Sequence, residues 1–174
     1  MAAKKQDYSS ICKDIEQGHF APVYLLHGEE SYFLDHITDL LIDNVLTEDE
    51  KDFNLTQFYG ADVTSIGDIV SACRRYPMMA ERQLVLFREI QAYDNRSQQL
   101  DNLSLYIKQP LESTVFVMIC KTKPLGGKLP KLVSDSGGVV FESKKIRDYE
   151  LANVVEPYIK EKGLKIDAKA LRIL

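Results

Sequence analysis

A chain of 174 residues is long enough for one well-buried core and too short for two average domains, which predicts one domain followed by a fragment of another. Its 45% hydrophobic and 28% charged residues, with no strongly biased segment, exclude an intrinsically disordered protein. A formal net charge of -4 argues against a surface whose main task is to neutralise nucleic-acid phosphates.

Residues 1–7 are short and charged and precede no apolar run of signal-peptide or membrane-span length, so a cytoplasmic protein with no membrane partner is expected. A helix is predicted over 8–17. The run Pro22-Val23-Tyr24-Leu25-Leu26-His27 reads as a short, nearly continuous apolar strand, as expected in a sheet covered on both faces. After Gly28 the period changes. Phe33, Leu34, Ile37, Leu40, Leu41, Val45 and Leu46 recur every three or four residues, predicting an amphipathic helix over 30–46. A second strand is expected over 53–59. Thr64 is the expected cap of a helix that carries Ile66, Ile69, Val70 and Cys73 and ends before Pro77.

Three more strands are read over 83–87, 114–120 and 139–142, separated by helices over 96–108 and 128–134. Five strands alternating with helices are best satisfied by a parallel sheet with right-handed crossovers: a three-layer α/β/α sandwich of P-loop NTPase-like plan. From Ile146 onward only helical patterning appears, through Leu151, Val154, Val155, Tyr158 and Ile159, and a final helix is expected from Asp167 to the end. The expected division is an α/β domain over 1–143 and the start of a second, helical domain over 144–174.

Cys12, Cys73 and Cys120 are odd in number and widely spaced, matching neither a disulfide framework nor a CxxC motif. His19, His27 and His36 lack the i, i+4 spacing that sets two imidazoles on one helix face. No metal and no cofactor are expected.

A strand that ends in glycine and runs into a helix is where GxxxxGK[ST] would hold nucleotide phosphates with its backbone amides and lysine. The register starting at Gly28 puts Phe33 at the second glycine, Leu34 at the lysine and Asp35 at the hydroxyl residue. Bulk replaces the close approach, the cation is gone, and a carboxylate lies where phosphates would sit. Leu84-Val85-Leu86-Phe87 runs into Arg88 and Glu89, which leaves an acid for Mg²⁺ one step out of register. Two readings stand: a phosphate loop that has lost its function, or an ordinary strand-to-helix turn in which Glu29 and Glu30 suit the helix dipole.

Several segments in order carry a wider likeness: Pro22 to Glu30, then Ala80-Glu81-Arg82-Gln83-Leu84-Val85-Leu86, Thr114-Val115-Phe116-Val117, Gly137-Gly138-Val139-Val140-Phe141 and Lys162-Gly163-Leu164-Lys165-Ile166-Asp167. Together they resemble the δ subunit of the bacterial DNA polymerase III clamp loader over nearly the whole chain. The resemblance implies an AAA+-like domain with a degenerate phosphate loop, followed by the first part of a helical lid. Members of that family bind the ring-shaped sliding clamp, the β subunit, and help to open it for loading onto primed DNA. They do so without catalysis. Energy comes from ATP on neighbouring subunits, which assemble through a C-terminal collar outside this sequence. Contact with primer-template DNA is then indirect, as part of the complex.

In that family a hydrophobic pair inserts into a pocket of the clamp. The matching stretch is Arg74-Arg75-Tyr76-Pro77-Met78-Met79-Ala80-Glu81-Arg82, with Met78 and Met79 at the pair where many relatives carry a Leu-Phe-type pair. Methionine is unbranched and polarizable and adapts to a groove, and Pro77 stiffens the approach. The competing reading makes both methionines core residues that close the helix against the sheet. Arg74, Arg75 and Arg82 either meet acidic groups around the clamp pocket or form a solvated face. Lys121, Lys123, Lys128 and Lys131, around Pro124-Leu125-Gly126-Gly127, either lie near DNA in the assembled loader or belong to a soluble loop. The alternative functions are an AAA+-like interaction scaffold with another partner and a divergent nucleotide-binding enzyme using Glu29, Glu30 or Asp35 with Mg²⁺.

Overall fold

The computed structural model describes residues 7–93, 100–122, 124–125, 127–145, 155–156, 158–160, 162–167 and 170. Helix α1 (Tyr8–Glu16) is capped by the Asp7 carboxylate, which accepts the Ser10 N–H at 2.8 Å. It closes on Gly18, whose φ of +76° lets the amides of Gly18 and His19 turn back to the carbonyls of Ile15 and Asp14. Strand β1 (Val23–Gly28) is buried along its whole length, and α2 (Ser31–Val45) follows after two residues.

A further helix, α3 (Glu48–Asn54), was not expected and displaces the start of the predicted second strand: β2 runs Leu55–Tyr59. The helix has almost no apolar stripe, so periodicity is silent there, while the Glu50 carboxylate reaches back to the Thr47 N–H at 2.9 Å as in a capping box. Helix α4 (Ile66–Cys73) is capped by Ser65, not Thr64; the Ser65 hydroxyl accepts the Gly67 N–H at 3.1 Å. Then come β3 (Gln83–Arg88), a 3-10 turn (Ile90–Ala92), α5 (Leu100–Lys108), β4 (Thr114–Lys121), α6 (Lys128–Asp135) and β5 (Val139–Ser143). Of the helix expected over 96–108, residues 96–99 lie outside the described residues.

All four strand pairings are parallel, in the order β2-β3-β4-β1-β5. Alternate strand residues divide the core in two. Tyr24, Leu26, Leu84, Leu86, Val117 and Ile119 face α1 and α2, where Ile11, Ile15, Leu34, Ile37 and Leu41 are buried. Val23, Leu25, Val85, Phe87, Phe116 and Met118 face α4, α5 and α6, meeting Ile66, Ile69, Leu103, Ile107 and Val133. This is the three-layer α/β/α sandwich with a five-stranded parallel sheet that the alternation of strands and helices predicts.

Backbone contacts group the chain into two compact units, 1–143 and 144–174. Within the second, 155–156 and 158–160 are helical, an ion pair joins Lys160 and Glu156 at 3.0 Å, and the amides of Gly163 and Leu164 return to the carbonyls of Lys160 and Ile159. Asp167 is not helical, Ala170 is, and the rest of the expected last helix lies outside the described residues. Among the described residues, no helix is long and apolar enough to cross a membrane.

Candidate functional site

Two places on the α/β unit bear on function, and the parallel sheet sets them at opposite edges. The loop after β1 lies at the carboxyl ends of the strands; the segment before β3 lies at their amino ends.

At the first, Gly28 has φ +131° and pairs with Ser143 of β5, so close that a Cβ atom would overlap the Ser143 carbonyl oxygen. The Glu29 N–H is committed to that same carbonyl at 3.1 Å. Helix α2 starts at Ser31, so residues 31–35 are wound into its first turns instead of forming an open loop. Leu34, in the lysine register, is fully buried among the sheet residues. Phe33 packs edge-on against Tyr8 of α1 with ring centroids 4.8 Å apart. Asp35 meets the Lys121 ammonium from the end of β4 at 2.6 Å. The cation at Asp35 thus arrives from another strand and is matched by the carboxylate. Glu30 makes no capping bond, and Glu29 and Glu89 are exposed. Of this loop's candidates the fold brings together Gly28 with Ser143 and Asp35 with Lys121.

Behind the loop, His27 is buried at the end of β1, and its Nδ1 accepts the Leu125 N–H at 3.0 Å. Burial lowers its pKa below 6.5, against a smaller opposing pull from Glu142. Burial likewise raises the Cys73 thiol and takes the Tyr24 phenol to about 12, so neither is a ready nucleophile. Among the described residues, no three His, Cys, Asp or Glu side chains are grouped to hold a metal ion.

At the second place, residues 74–82 leave α4 and return to β3. Tyr76 is 89% exposed, Met78 60% and Met79 101%, with Met79 at φ +53°. The reading of both methionines as core residues is therefore excluded: they stand out from the fold. Pro77 is half-buried between Tyr76 and Met78. What holds so apolar a segment outside the core is a set of buried polar side chains that pattern reasoning passed over. Asn54, 3% exposed at the end of α3, accepts the Met78 N–H at 2.6 Å and donates to the Met78 carbonyl at 3.0 Å. Gln83, buried at the start of β3, shares its amide protons among the carbonyls of Ala72 (2.9 Å) and Arg75 (2.7 Å) and the Thr114 hydroxyl (2.9 Å). Thr114 in turn donates to the Cys73 carbonyl at 2.8 Å. An asparagine before a strand and a glutamine opening one were the available signals, because polar residues at the ends of buried strands need partners.

The arginines divide. Arg75 donates to the Thr56 hydroxyl at 2.9 Å, Arg82 reaches Glu81 at 3.4 Å and lies 5.6 Å from the centre of the Phe20 ring, and Arg74 is exposed. Lys128 and Lys131 are exposed on α6, whereas Lys121 is tied to Asp35; Lys123 lies outside the described residues.

Strands β2, β3 and β4, all of β1 but its first residue, and the segments 28–35 and 74–82 fall within residues 24–134, the part of the chain that matches the family model described as DNA polymerase III, delta subunit. The chain belongs to that family. A delta-family relative, DNA polymerase III subunit delta of Bacillus subtilis, is 26% identical over 121 residues, which are 66% of this chain and 35% of the relative. The solved DNA clamp loader delta protein of Bacillus subtilis superposes with TM-score 0.78 at 23% identity, covering 95% of this chain and 51% of that one. A DNA polymerase III gamma subunit-related protein of Thermotoga maritima gives TM-score 0.52 at 15% identity, covering 90% and 52%. These likenesses show that the fold is shared with those proteins. The chain spans about a third of the curated relative and about half of the solved ones.

Proposed function

We propose that this chain is the clamp-binding part of a clamp-loader δ subunit, that the tip at Pro77, Met78 and Met79 seats in a pocket of the sliding clamp, and that it does so without binding ATP or catalysing a reaction. The exposure of Met78 and Met79 on a loop tethered by buried amides is the observation that carries this reading. A monomer gains nothing from holding two methionines in water, and unbranched thioether side chains adapt well to a partner's groove. Arg74 and Arg75 flank the tip and contribute at the rim. The mechanical work is selection: a bound tip favours an open ring only by its greater affinity for the open than for the closed interface. ATP acts on neighbouring subunits, joined through parts of the protein beyond this chain, and residues 144–174 begin a helical lid. Primer-template DNA is met indirectly, within the assembled loader in the cytoplasm.

The test is binding of the organism's own sliding clamp by the chain and by a Met78→Ala, Met79→Ala double variant. Burying one such side chain contributes about 1.5–3 kcal/mol, so losing both should weaken binding by roughly 3–6 kcal/mol, a hundred-fold or more. Because both side chains are already in solvent, melting should stay within about 2 °C of wild type. A double variant that binds the clamp normally sinks the reading, and a chain that captures no clamp at all returns the fold to a scaffold for some other partner.

A further inference from the structure

We propose that Asn54 is a positioning residue for the tip, holding Met78 and Met79 in their projecting conformation before any partner arrives; the inference rests on the reading of that pair as partner-binding. One planar carboxamide satisfies both backbone groups of Met78, as acceptor at 2.6 Å and donor at 3.0 Å, across 24 residues of sequence. The side chain is 3% exposed and is anchored on its own element by a bond from Nδ2 to the Glu50 carbonyl at 3.2 Å. The tip is thus docked to the end of α3, and the next residue out, Met79, takes φ +53° with its side chain wholly in solvent. Left-handed backbone at a non-glycine residue persists only where its surroundings impose it. Asparagine is suited to this task. Aspartate keeps the acceptor and loses the donor, leucine loses both, and glutamine is one methylene too long for the same spot. A loop ordered in advance spares the complex the entropy of ordering two long, flexible side chains and their backbone on contact.

The test compares Asn54→Ala and Asn54→Asp with the wild-type chain by amide hydrogen exchange of the free protein, by melting, and by titration with the organism's sliding clamp. In Asn54→Ala the Met78 amide should exchange at least about tenfold faster while amides within α4 and β3 keep their rates, and clamp affinity should fall about tenfold, the cost of ordering the loop on binding. Asn54→Asp still accepts the Met78 N–H but sets a carboxylate oxygen against the Met78 and Glu50 carbonyls, so it too should speed exchange at Met78 and weaken clamp binding. Unchanged exchange at Met78 overturns the proposal. So does an affinity loss accompanied by uniformly faster exchange throughout α4 and β3, since Asn54 would then be merely structural. Should Asn54→Ala fail to fold, Asn54→Asp is judged by the same criteria. The Met78→Ala, Met79→Ala variant separates this inference from the one beneath it. If that variant binds the clamp normally, the partner reading fails and Asn54 is judged by exchange at Met78 alone. If it loses binding while Asn54→Ala does not, the positioning role fails and the partner reading stands.

Discussion

His27 is a polar residue in an apolar strand, and its surroundings specify its charge. The Leu125 N–H occupies Nδ1 as a donor, so the imidazole carries its proton on Nε2 and is neutral. Burial lowers the pKa below 6.5, and nearby Glu142 only partly opposes this. Between the lowered value and 6.5 the unfolded chain binds more protons than the folded one, so the stabilisation is complete above about pH 6.5 and is lost as pH falls. His27→Gln removes this titration. Plotted from about pH 7.5 down to 5.5, the melting temperature of the variant should fall less steeply than that of wild type. Parallel profiles would show that His27 is not a source of the acid sensitivity. Gly28, one residue on, was legible as a loop glycine from its place between strand and helix. That its Cα presses on Ser143, 115 residues away, was not, because no local pattern records which strand lies alongside.

At the scale of elements, the junction of α4 with β3 is organised around Gln83. Helix α4 ends with carbonyls that have no partner further along the helix, and the segment beyond it leads directly to the exposed tip. The Gln83 amide collects the carbonyls of Ala72 and Arg75, and Thr114 on the neighbouring strand collects that of Cys73. Gln83→Leu fills similar volume but takes its side-chain partner from the part-buried Arg75 carbonyl, while the Ala72 carbonyl keeps the Arg75 N–H at 3.2 Å. Each buried acceptor left unsatisfied costs about 1–3 kcal/mol, and one kcal/mol shifts melting by about 2–4 °C in a chain of this size. The variant should therefore melt at least about 3 °C lower, measured by calorimetry; melting equal to wild type would mean that water replaces the amide at no cost. α2 was readable almost to the residue because a long apolar stripe leaves one solution. α3 was missed because a short, acidic helix held by its caps and neighbours has no such stripe.

For the whole molecule, a parallel sheet separates two edges, and open α/β sheets bind small ligands outside the carboxyl ends of their strands. In this chain the loop after β1 is closed. Gly28 is seated against Ser143, the Glu29 amide is engaged there, Leu34 is in the core, and Lys121 is held by Asp35. A triphosphate would have to break that ion pair and reopen the first turn of α2 with no net gain in positive charge. Titration calorimetry with Mg-ATP should accordingly detect no saturable binding tighter than about 100 μM, equivalent to roughly 5 kcal/mol; a tighter site would show that the loop retains its nucleotide function. The tip at residues 77–79, proposed above to bind the partner, lies at the other edge of the sheet, so a closed loop after β1 places no constraint on it.

The sequence by itself determined the layer architecture, because five strands alternating with helices have few solutions, the more so when a strand such as Val23–Gly28 is apolar on both faces, and the strand limits differ from those observed by one or two residues. It also marked residues 74–82 as an interruption between a helix and a strand, and Gly28 as the residue on which the first strand turns. It left open whether Met78 and Met79 were core or surface, since an apolar residue has the same letter in either place. Only the tertiary structure decided that, through Asn54, Gln83 and Thr114. Their partners lie 24, 8 to 31 and 41 residues away, and hydrogen bonds of that range depend on which elements the folded sheet brings together and leave no period in the chain.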